Sequence, residues 1–365
     1  MEMLRNCKGL IHRLALFLVI AARIAAADSS GKPVVPALFI LGDSTVDCGN
    51  NNWLWTVAQS KFLPYGRDFD THEPTGRFTN GRLSIDYLAD FLNLPLVPPY
   101  LSRPSYDQGV NFASAGSGIL NATGSIFGQR IPMQTQLAYL KDVKSELSEK
   151  FGRERTNEIF SKSIFYVSVG SNDFINNYLV PGSSYLRDYN RKSFIDLLIS
   201  GLDEQLNELY SIGARRIVVA SLSPLGSVPS QLAKFSTIRL DGSSFLNDMS
   251  QQYNTKLFDL LVRLRSSLSE ADLIYNSLYN VLMDISEKYS QYGFLYNDTA
   301  CCGLGNFNGS VPCLPNVPVC EDAAQYIFWD EYHPTGSTYK LIADKLWSGN
   351  INESYPINVK TLLGL

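Results

Sequence analysis

The amino-acid sequence predicts an α/β protein built on a parallel sheet of about five strands, with helices on both faces. Two observations support this fold class. Short apolar segments alternate with amphipathic segments along most of the chain, which is typical of strands joined by crossover helices. The first apolar segment, residues 37–41 (ALFIL), has no polar alternation. It therefore suits a strand that is covered on both faces.

Four further strands follow the first, each a short apolar run that ends at small or polar residues. The segment 164–169 (IFYVSV), for example, ends at the small and polar residues 170–173 (GSND). We expect right-handed crossovers between successive strands. The predicted strands are 37–41, 109–113, 164–169, 216–220 and 273–275.

Eight segments show helical spacing or helix-compatible composition. In 193–212, leucine and phenylalanine recur at i, i+3 and i+4, and Gly213 then ends the pattern. Segment 133–151 carries one apolar face, whereas 53–63 (WLWTVAQSKFL) is a shorter and less regular candidate. The predicted helices are 53–63, 84–92, 133–151, 153–160, 193–212, 245–268, 278–289 and 336–347.

The N-terminus predicts a secretory signal peptide at residues 1–27. Arg5, Lys8 and Arg13 precede a short apolar run, and alanines at 25–27 supply a cleavage pattern. A membrane anchor is the alternative, but the uninterrupted apolar run is too short, and Arg23 introduces a charge directly after it. We expect a secreted protein, extracellular or in the cell wall, with no integral membrane segment after cleavage.

Composition favours one α/β domain over residues 28–365. The chain is long enough for one large or two small domains, and we find neither a linker nor an internal repeat that would favour two. Its 31 basic and 35 acidic residues give a net charge of −4. We find no basic cluster, so we expect no nucleic-acid partner.

Five cysteines remain after the predicted cleavage, and four of them lie between positions 301 and 320. A zinc site is the alternative, but that stretch contains no histidine. In a secreted chain, disulfides that close a Gly/Pro-rich loop are favoured. The odd count leaves one thiol free or paired with Cys48, and the connectivity stays open. The cysteines concerned are Cys48, Cys301, Cys302, Cys313 and Cys320.

Four N-glycosylation acceptor patterns accompany the predicted signal peptide. Each is an asparagine two residues before serine or threonine, without proline between them. Two of the four lie in or beside the cysteine-rich stretch, as expected of an exposed loop. The acceptor candidates are Asn121, Asn297, Asn308 and Asn352.

A nucleophile, a base and an orienting acid can be assembled from distant parts of the chain. Ser44 follows the first strand directly, and parallel sheets keep their ligand sites at that edge. Only His72 and His333 remain as bases after cleavage, and Asp330 precedes His333 by three residues. The non-catalytic alternatives are an ordinary turn at Ser44 and an exposed Asp–His ion pair. Together the three side chains make a complete set for acyl transfer.

Acyl transfer also needs donors directed at the developing oxyanion. Three strand ends offer them: the Ser44 amide, an amide in turn 114–118 that includes Gly116, and the side-chain amide of Asn172. Taken singly, Gly116 and Asn172 are also ordinary turn residues. We expect Asp43 and Asp173 to be structural.

Four blocks carry a resemblance to the plant GDSL esterase/lipase family of the SGNH hydrolase superfamily. They are GDST at Ser44, NFASAGSG at Gly116, GSND at Asn172, and DEYHP from Asp330 to Pro334. The nucleophile-elbow pattern G-x-S-x-G is absent.

The resemblance implies catalytic roles for Ser44, Asp330 and His333, and an oxyanion hole of Ser44, Gly116 and Asn172. It further implies a flavodoxin-like three-layer α/β/α sandwich that uses no metal or organic cofactor.

The chain departs from the family pattern at several positions. Thr45 replaces the leucine of the GDSL signature, and we expect little effect on the chemistry. Ser227 and Ser244 stand where many plant members have cysteines, which indicates a disulfide lost as a pair. Ser354 replaces a further cysteine near the C-terminus.

The favoured function is a secreted carboxylic-ester hydrolase that forms an acyl-enzyme and acts on a small-molecule or lipid-like ester. Acyl transfer to a hydroxyl acceptor, as in cutin polymerisation, would use the same triad. A non-catalytic secreted binding or storage protein ranks below both, because the serine, histidine and amide donor are all present. Loops such as 94–106 and 178–191 would decide the substrate.

Overall fold

A six-stranded sheet lies at the centre of the computed structural model, which describes residues 31–238 and 242–365. The strands are β1 Leu38–Gly42, β2 Gly109–Asn111, β3 Ile164–Ser168, β4 Arg216–Ala220, β5 Asp272–Asn276 and β8 Ser354–Tyr355. Their order is β2-β1-β3-β4-β5-β8, the 2-1-3-4-5 order of flavodoxin with one added edge strand. The first five strands run parallel, and β8 pairs antiparallel with β5.

Helices cover both faces of this sheet. The principal ones are α1 Ser84–Phe91, α2 Met133–Phe151, α3 Arg153–Lys162, α4 Ser171–Asp173, α5 Ser184–Asp188, α6 Arg191–Ile212, α7 Pro229–Ile238, α8 Gly242–Ser267, α9 Leu278–Glu287, α10 Gly336–Ser348 and α11 Val359–Leu362. A π-helical segment, Phe174–Tyr178, continues α4. Short 3-10 turns occupy Asn50–Trp53, Tyr100–Ser102, Ser125–Phe127, Leu225–Ser227, Tyr289–Tyr292, Asn306–Asn308 and Ala323–Gln325.

The alternation of side chains along each strand divides the core into two layers. Phe39 and Phe165 project from one face, stack at 4.9 Å and belong to the large apolar core built with α2, α3, α6 and α8. Tyr166 projects from the other face. It lines a small internal chamber together with Leu282 of α9 and Ile342 of α10. The predicted three-layer α/β/α arrangement is confirmed.

Element positions also agree closely with the sequence prediction for the principal elements. Helix α2 and strand β4 begin and end where predicted, and β1 lies one residue later than predicted. The edge strand β8 was not predicted, since two residues carry no periodicity. A separate two-stranded sheet, β6 Tyr296–Ala300 with β7 Tyr326–Phe328, was missed because YNDTA is polar.

The predicted helix over 53–63 is wrong. Only the short 3-10 turn Asn50–Trp53 precedes this segment, which then runs beside 127–129. The Val57 amide donates to Phe127 O at 2.9 Å, and Trp55 O accepts from the Gln129 amide at 2.8 Å. These long-range backbone bonds replace the local ones that a helix would have used.

Two disulfides close the cysteine-rich stretch, so the prediction of disulfides in this loop is confirmed. Cys301 pairs with Cys320, and Cys302 pairs with Cys313. Cys48 is the free thiol, buried and donating to Val97 O at 3.3 Å. The alternative in which Cys48 pairs with another cysteine is therefore ruled out.

Of the four glycosylation candidates, Asn121 and Asn352 are exposed. Asn297 and Asn308 are half-buried, and their side-chain amides donate to Ser286 O and Ala300 O. The predicted signal peptide, residues 1–27, lies outside the described residues. Within the described ranges, no helix combines the length and apolarity needed to cross a membrane.

Candidate active site

Ser44 lies in a sharp turn at the carboxyl end of β1. All five residues of the strand are buried, and the chain turns at Gly42, whose φ is 151°. A Cβ at Gly42 would lie 2.1 Å from Ser168 O, so the backbones of β1 and β3 could not approach this closely with another residue. The turn is fixed by Asp43, which accepts from Thr45 N at 3.0 Å and Thr45 Oγ1 at 2.7 Å.

His333 connects Ser44 with Asp330. His333 Nε2 lies 2.8 Å from Ser44 Oγ, and Nδ1 lies 2.8 and 2.9 Å from the two Asp330 oxygens. An ionised carboxylate only accepts, so Nδ1 carries the proton and Nε2 is free to accept from Ser44 Oγ. The structure thus brings together three residues that the sequence separates by up to 289 positions.

The electrostatic surroundings of His333 favour its protonated form. Burial alone would lower the pKa of His333, but the charge and hydrogen bond of Asp330, then the charges of Glu331 and Asp43, leave it above its ordinary value. His333 is 7% exposed, so water screens these charges little. A proton taken from Ser44 would be held here as an imidazolium beside Asp330.

The three expected oxyanion donors line the same cavity as Ser44. Asn172 Nδ2 donates to Ser117 O at 2.9 Å, and Asn172 Oδ1 accepts from Asn176 at 2.7 Å, so the orientation of the amide is set. One hydrogen on Nδ2 remains for another acceptor. The backbone amides of Ser44 and Gly116 donate to no acceptor within the described ranges.

Asp173 fastens the loop beside these donors, in line with the structural role expected for it. Its carboxylate accepts from the amides of Ile119 and Leu120 at 2.8 and 3.0 Å, and from Thr123 Oγ1 at 2.6 Å. Burial raises the pKa of Asp173 to about 6 in spite of these bonds.

A cavity of about 390 Å³ opens onto Ser44, large enough for a small ester. Most of its walls are apolar. Its acidic lining residues are Asp43, Asp330 and Glu331, its basic one is His333, and no lysine or arginine of the described residues lines it. The apolar lining residues include Val57, Phe62, Phe127, Ile175, Leu225 and Leu314.

His72, the other histidine considered as a base, is exposed and does not line this cavity. Its Nδ1 lies 2.9 Å from Arg67 O. No cluster of three or more metal-binding side chains occurs in residues 31–238 and 242–365.

Two residues of the site were missed in the sequence. Tyr65 Oη donates to Asp330 Oδ2 at 2.8 Å across 265 positions, and no local pattern announces such a contact. Glu331 Oε2 accepts from Cys313 N at 3.3 Å, and burial, followed by the Asp330 charge, raises the pKa of Glu331 to about 7. Glu331 could have been identified from the sequence, because it directly follows Asp330.

Ser44, His333 and Asp330 thus lie together at the carboxyl end of the parallel sheet, beside an apolar cavity. The family profile described as GDSL-like Lipase/Acylhydrolase matches residues 38–346. The chain is 40% identical to GDSL esterase/lipase 7 of Arabidopsis thaliana over 342 residues, 92% of this chain and 93% of that protein.

A second Arabidopsis thaliana GDSL esterase/lipase is 38% identical over 357 residues, 95% of this chain and 92% of that protein. The chain therefore belongs to the GDSL-like lipase/acylhydrolase family, and the resemblance seen in the sequence is confirmed. Family membership supports an esterase/lipase that hydrolyses ester bonds.

Proposed function

We propose that the protein is a secreted carboxylic-ester hydrolase that works through an acyl-enzyme on Ser44. His333 serves as general base and then general acid, and Asp330 orients its ring. The observation that carries this proposal is the continuous contact from Asp330 through His333 to Ser44, with 2.8 Å at each junction.

In the first half-reaction, Ser44 Oγ attacks the ester carbonyl carbon while His333 Nε2 takes the hydroxyl proton. Collapse of the tetrahedral intermediate breaks the ester C–O bond, and His333 returns the proton to the departing alcohol. In the second half-reaction, water attacks the acyl-enzyme with His333 again as base. The acid leaves, and Ser44 Oγ regains its proton from His333.

The oxyanion that forms in both half-reactions would accept from the Ser44 amide, the Gly116 amide and Asn172 Nδ2. The two backbone amides are not engaged within the described chain, and the Asn172 side chain is held on both sides. Donors fixed before the reaction stabilise the developing charge without reorganisation.

The walls of the cavity favour an uncharged, apolar acyl group. Phe62, Phe127 and Ile175 supply apolar contacts, and no lysine or arginine among the described residues lines the cavity to bind an anionic ester. A small-molecule or lipid-like neutral ester is therefore the proposed substrate class.

Secretion is part of the proposal. It is supported by the signal-peptide pattern of residues 1–27, the four glycosylation acceptors and the two disulfides, which persist in an oxidising compartment. N-terminal sequencing of the secreted product would test it, and a terminus near Asp28 is expected.

Fluorophosphonate labelling of the purified protein, followed by peptide mapping, tests the chemistry without a choice of acyl group. We expect stoichiometric modification of Ser44 and none in Ser44→Ala. The matched control is Ser223→Ala, which changes another serine of the same cavity and should keep the label on Ser44. An unmodified wild-type protein that is folded and monodisperse would refute the proposal.

A further inference from the structure

Tyr65 brings a phenol hydroxyl against the carboxylate of the proposed triad. Tyr65 is only 5% exposed, and its Oη donates to Asp330 Oδ2 at 2.8 Å. Its ring packs edge-on against Phe62, Phe78 and Trp329, with centroid distances of 5.3, 6.1 and 6.1 Å. This packing holds the hydroxyl in the direction of the carboxylate.

The backbone beside Tyr65 is anchored as well. The Gly66 amide donates to Thr79 O at 3.0 Å, and Arg67 Nη1 donates to Cys320 O at 2.7 Å. The Arg67 guanidinium also lies over the Trp329 ring at 5.1 Å. The loop that carries Tyr65 is thus tied to the disulfide-closed segment that adjoins Asp330.

The two oxygens of Asp330 are bonded unequally. Oδ1 accepts from the backbone amides of Tyr332 at 2.9 Å and His333 at 2.7 Å, and from His333 Nδ1 at 2.8 Å. Oδ2 accepts from Tyr65 and shares His333 Nδ1 at 2.9 Å. Within the described residues, Tyr65 is therefore the only donor to this buried carboxylate from outside the 330–333 turn.

We propose that Tyr65 is a positioning residue that holds the Asp330 carboxylate in the plane that orients His333. This inference rests on the proposed function, because the orientation matters only if His333 transfers a proton. Hydrogen bonds to ionised groups are strong and directional, so one phenol can determine how a buried carboxylate is turned.

Removing the hydroxyl leaves Oδ2 with only the shared His333 Nδ1. A buried acceptor without its partner favours rotation of the carboxylate, which loosens the ring that faces Ser44. Without the phenol donor, the negative charge on Oδ2 is also less offset. The protonated form of His333 is then favoured more strongly, so His333 takes up a proton at higher pH.

The test is Tyr65→Phe, measured with p-nitrophenyl butyrate and with the fluorophosphonate probe. We expect kcat to fall about tenfold, the size expected for the loss of one hydrogen bond to a charged group. KM should be unchanged, the acidic limb of kcat/KM should move to higher pH, and labelling of Ser44 should slow by the same factor.

Tyr339→Phe is the matched control. Tyr339 is buried too, but its hydroxyl has no hydrogen-bond partner within the described residues. It should keep the wild-type kcat and pH profile. Wild-type kcat and pH profile in Tyr65→Phe would overturn the role of Tyr65, whereas an unlabelled wild-type protein would overturn the proposed function itself.

A ring-fluorinated tyrosine at position 65 keeps the inference testable if Tyr65→Phe does not fold. Its more acidic phenol donates more strongly to Asp330, so the acidic limb should move to lower pH, opposite to Tyr65→Phe. No movement, or movement in the same direction as Tyr65→Phe, would contradict the inference.

Discussion

Ser44 and His333 face each other across 2.8 Å, yet the molecule holds them by different means. Ser44 follows a buried strand that pairs with β2 on one side and β3 on the other. His333 lies on an irregular turn beside a small separate core in which Tyr65 and Trp329 pack against the disulfide cysteines.

This difference separates two ways of placing a reactive group. A strand inside a parallel sheet is fixed by a ladder of backbone bonds that almost any apolar sequence can form, and only the turn after β1 depends on particular residues, Gly42 and Asp43. The turn of His333 depends on particular side chains, namely Asp330, Tyr65 and the cysteines. We therefore expect single substitutions to disturb the geometry of the histidine side more readily than that of the serine side.

The largest effect is expected from Ser44→Ala, which removes the proposed nucleophile and leaves its strand intact. Esterase kcat/KM should fall by at least about 10⁴-fold, with the melting temperature within a few degrees of wild type. Hydrolysis of p-nitrophenyl esters and a thermal melt measure both quantities. Near-normal turnover would show that another residue is the nucleophile.

Asp330→Asn tests the histidine side and should cost about 10³- to 10⁴-fold in kcat. An amide can donate to Nδ1, which would place the proton on Nε2 and remove the acceptor that Ser44 needs. Asp322→Asn, at an exposed helix cap, is the control and should retain activity. A loss below tenfold in Asp330→Asn would mean that the ring is oriented without this carboxylate.

Asn172→Ala should reduce kcat about 10²-fold with little change in KM, because the lost donor acts on the oxyanion more than on the bound ester. Asn176→Ala removes the partner of Asn172 Oδ1 and should produce a smaller loss. Steady-state kinetics of the two variants rank them. Equal losses would indicate that Asn172 acts by holding its loop, not by donating to the oxyanion.

Joint replacement of Cys302 and Cys313 by serine should lower the free energy of unfolding by about 2–4 kcal/mol. The bridge anchors Cys313, which lines the cavity together with its neighbours Pro312 and Leu314. Urea unfolding measures this cost, and activity should decline before the sheet unfolds. Cys48→Ala removes a buried cysteine outside any disulfide. In this variant, loss of activity and unfolding of the sheet should occur at the same urea concentration.

The smallest expected effect is a shift in the pH profile. As pH falls through the raised pKa of His333, the ring becomes protonated and can no longer accept from Ser44. The midpoint of the acidic limb of the kcat/KM profile should therefore lie above pH 6.5. Glu331→Gln removes one of the charges that raise this pKa, and the half-point should move to lower pH. Movement to higher pH would contradict this electrostatic account.

The contrast between the strand that places Ser44 and the side-chain contacts that place His333 also explains what the sequence could predict. Residues 37–41 and 164–169 announce buried strands through uninterrupted apolar runs, so β1, β3 and the turns after them were located without a structure. Tyr65 lies in a turn-rich loop, and its contact with Asp330 depends on how that loop meets a segment 265 positions away. The failed helix over 53–63 has the same cause, since pairing with 127–129 outweighs local preference.

The acidic lining of the cavity has a consequence for turnover. Hydrolysis of a neutral ester leaves a carboxylate where an uncharged acyl group was bound. Asp43, Asp330 and Glu331 line that cavity, and His333 is the basic residue among its described lining. As pH rises through 7, Glu331 ionises and His333 loses its proton, so the lining becomes more negative and disfavours the carboxylate product. Inhibition by the acid product should therefore weaken as pH rises.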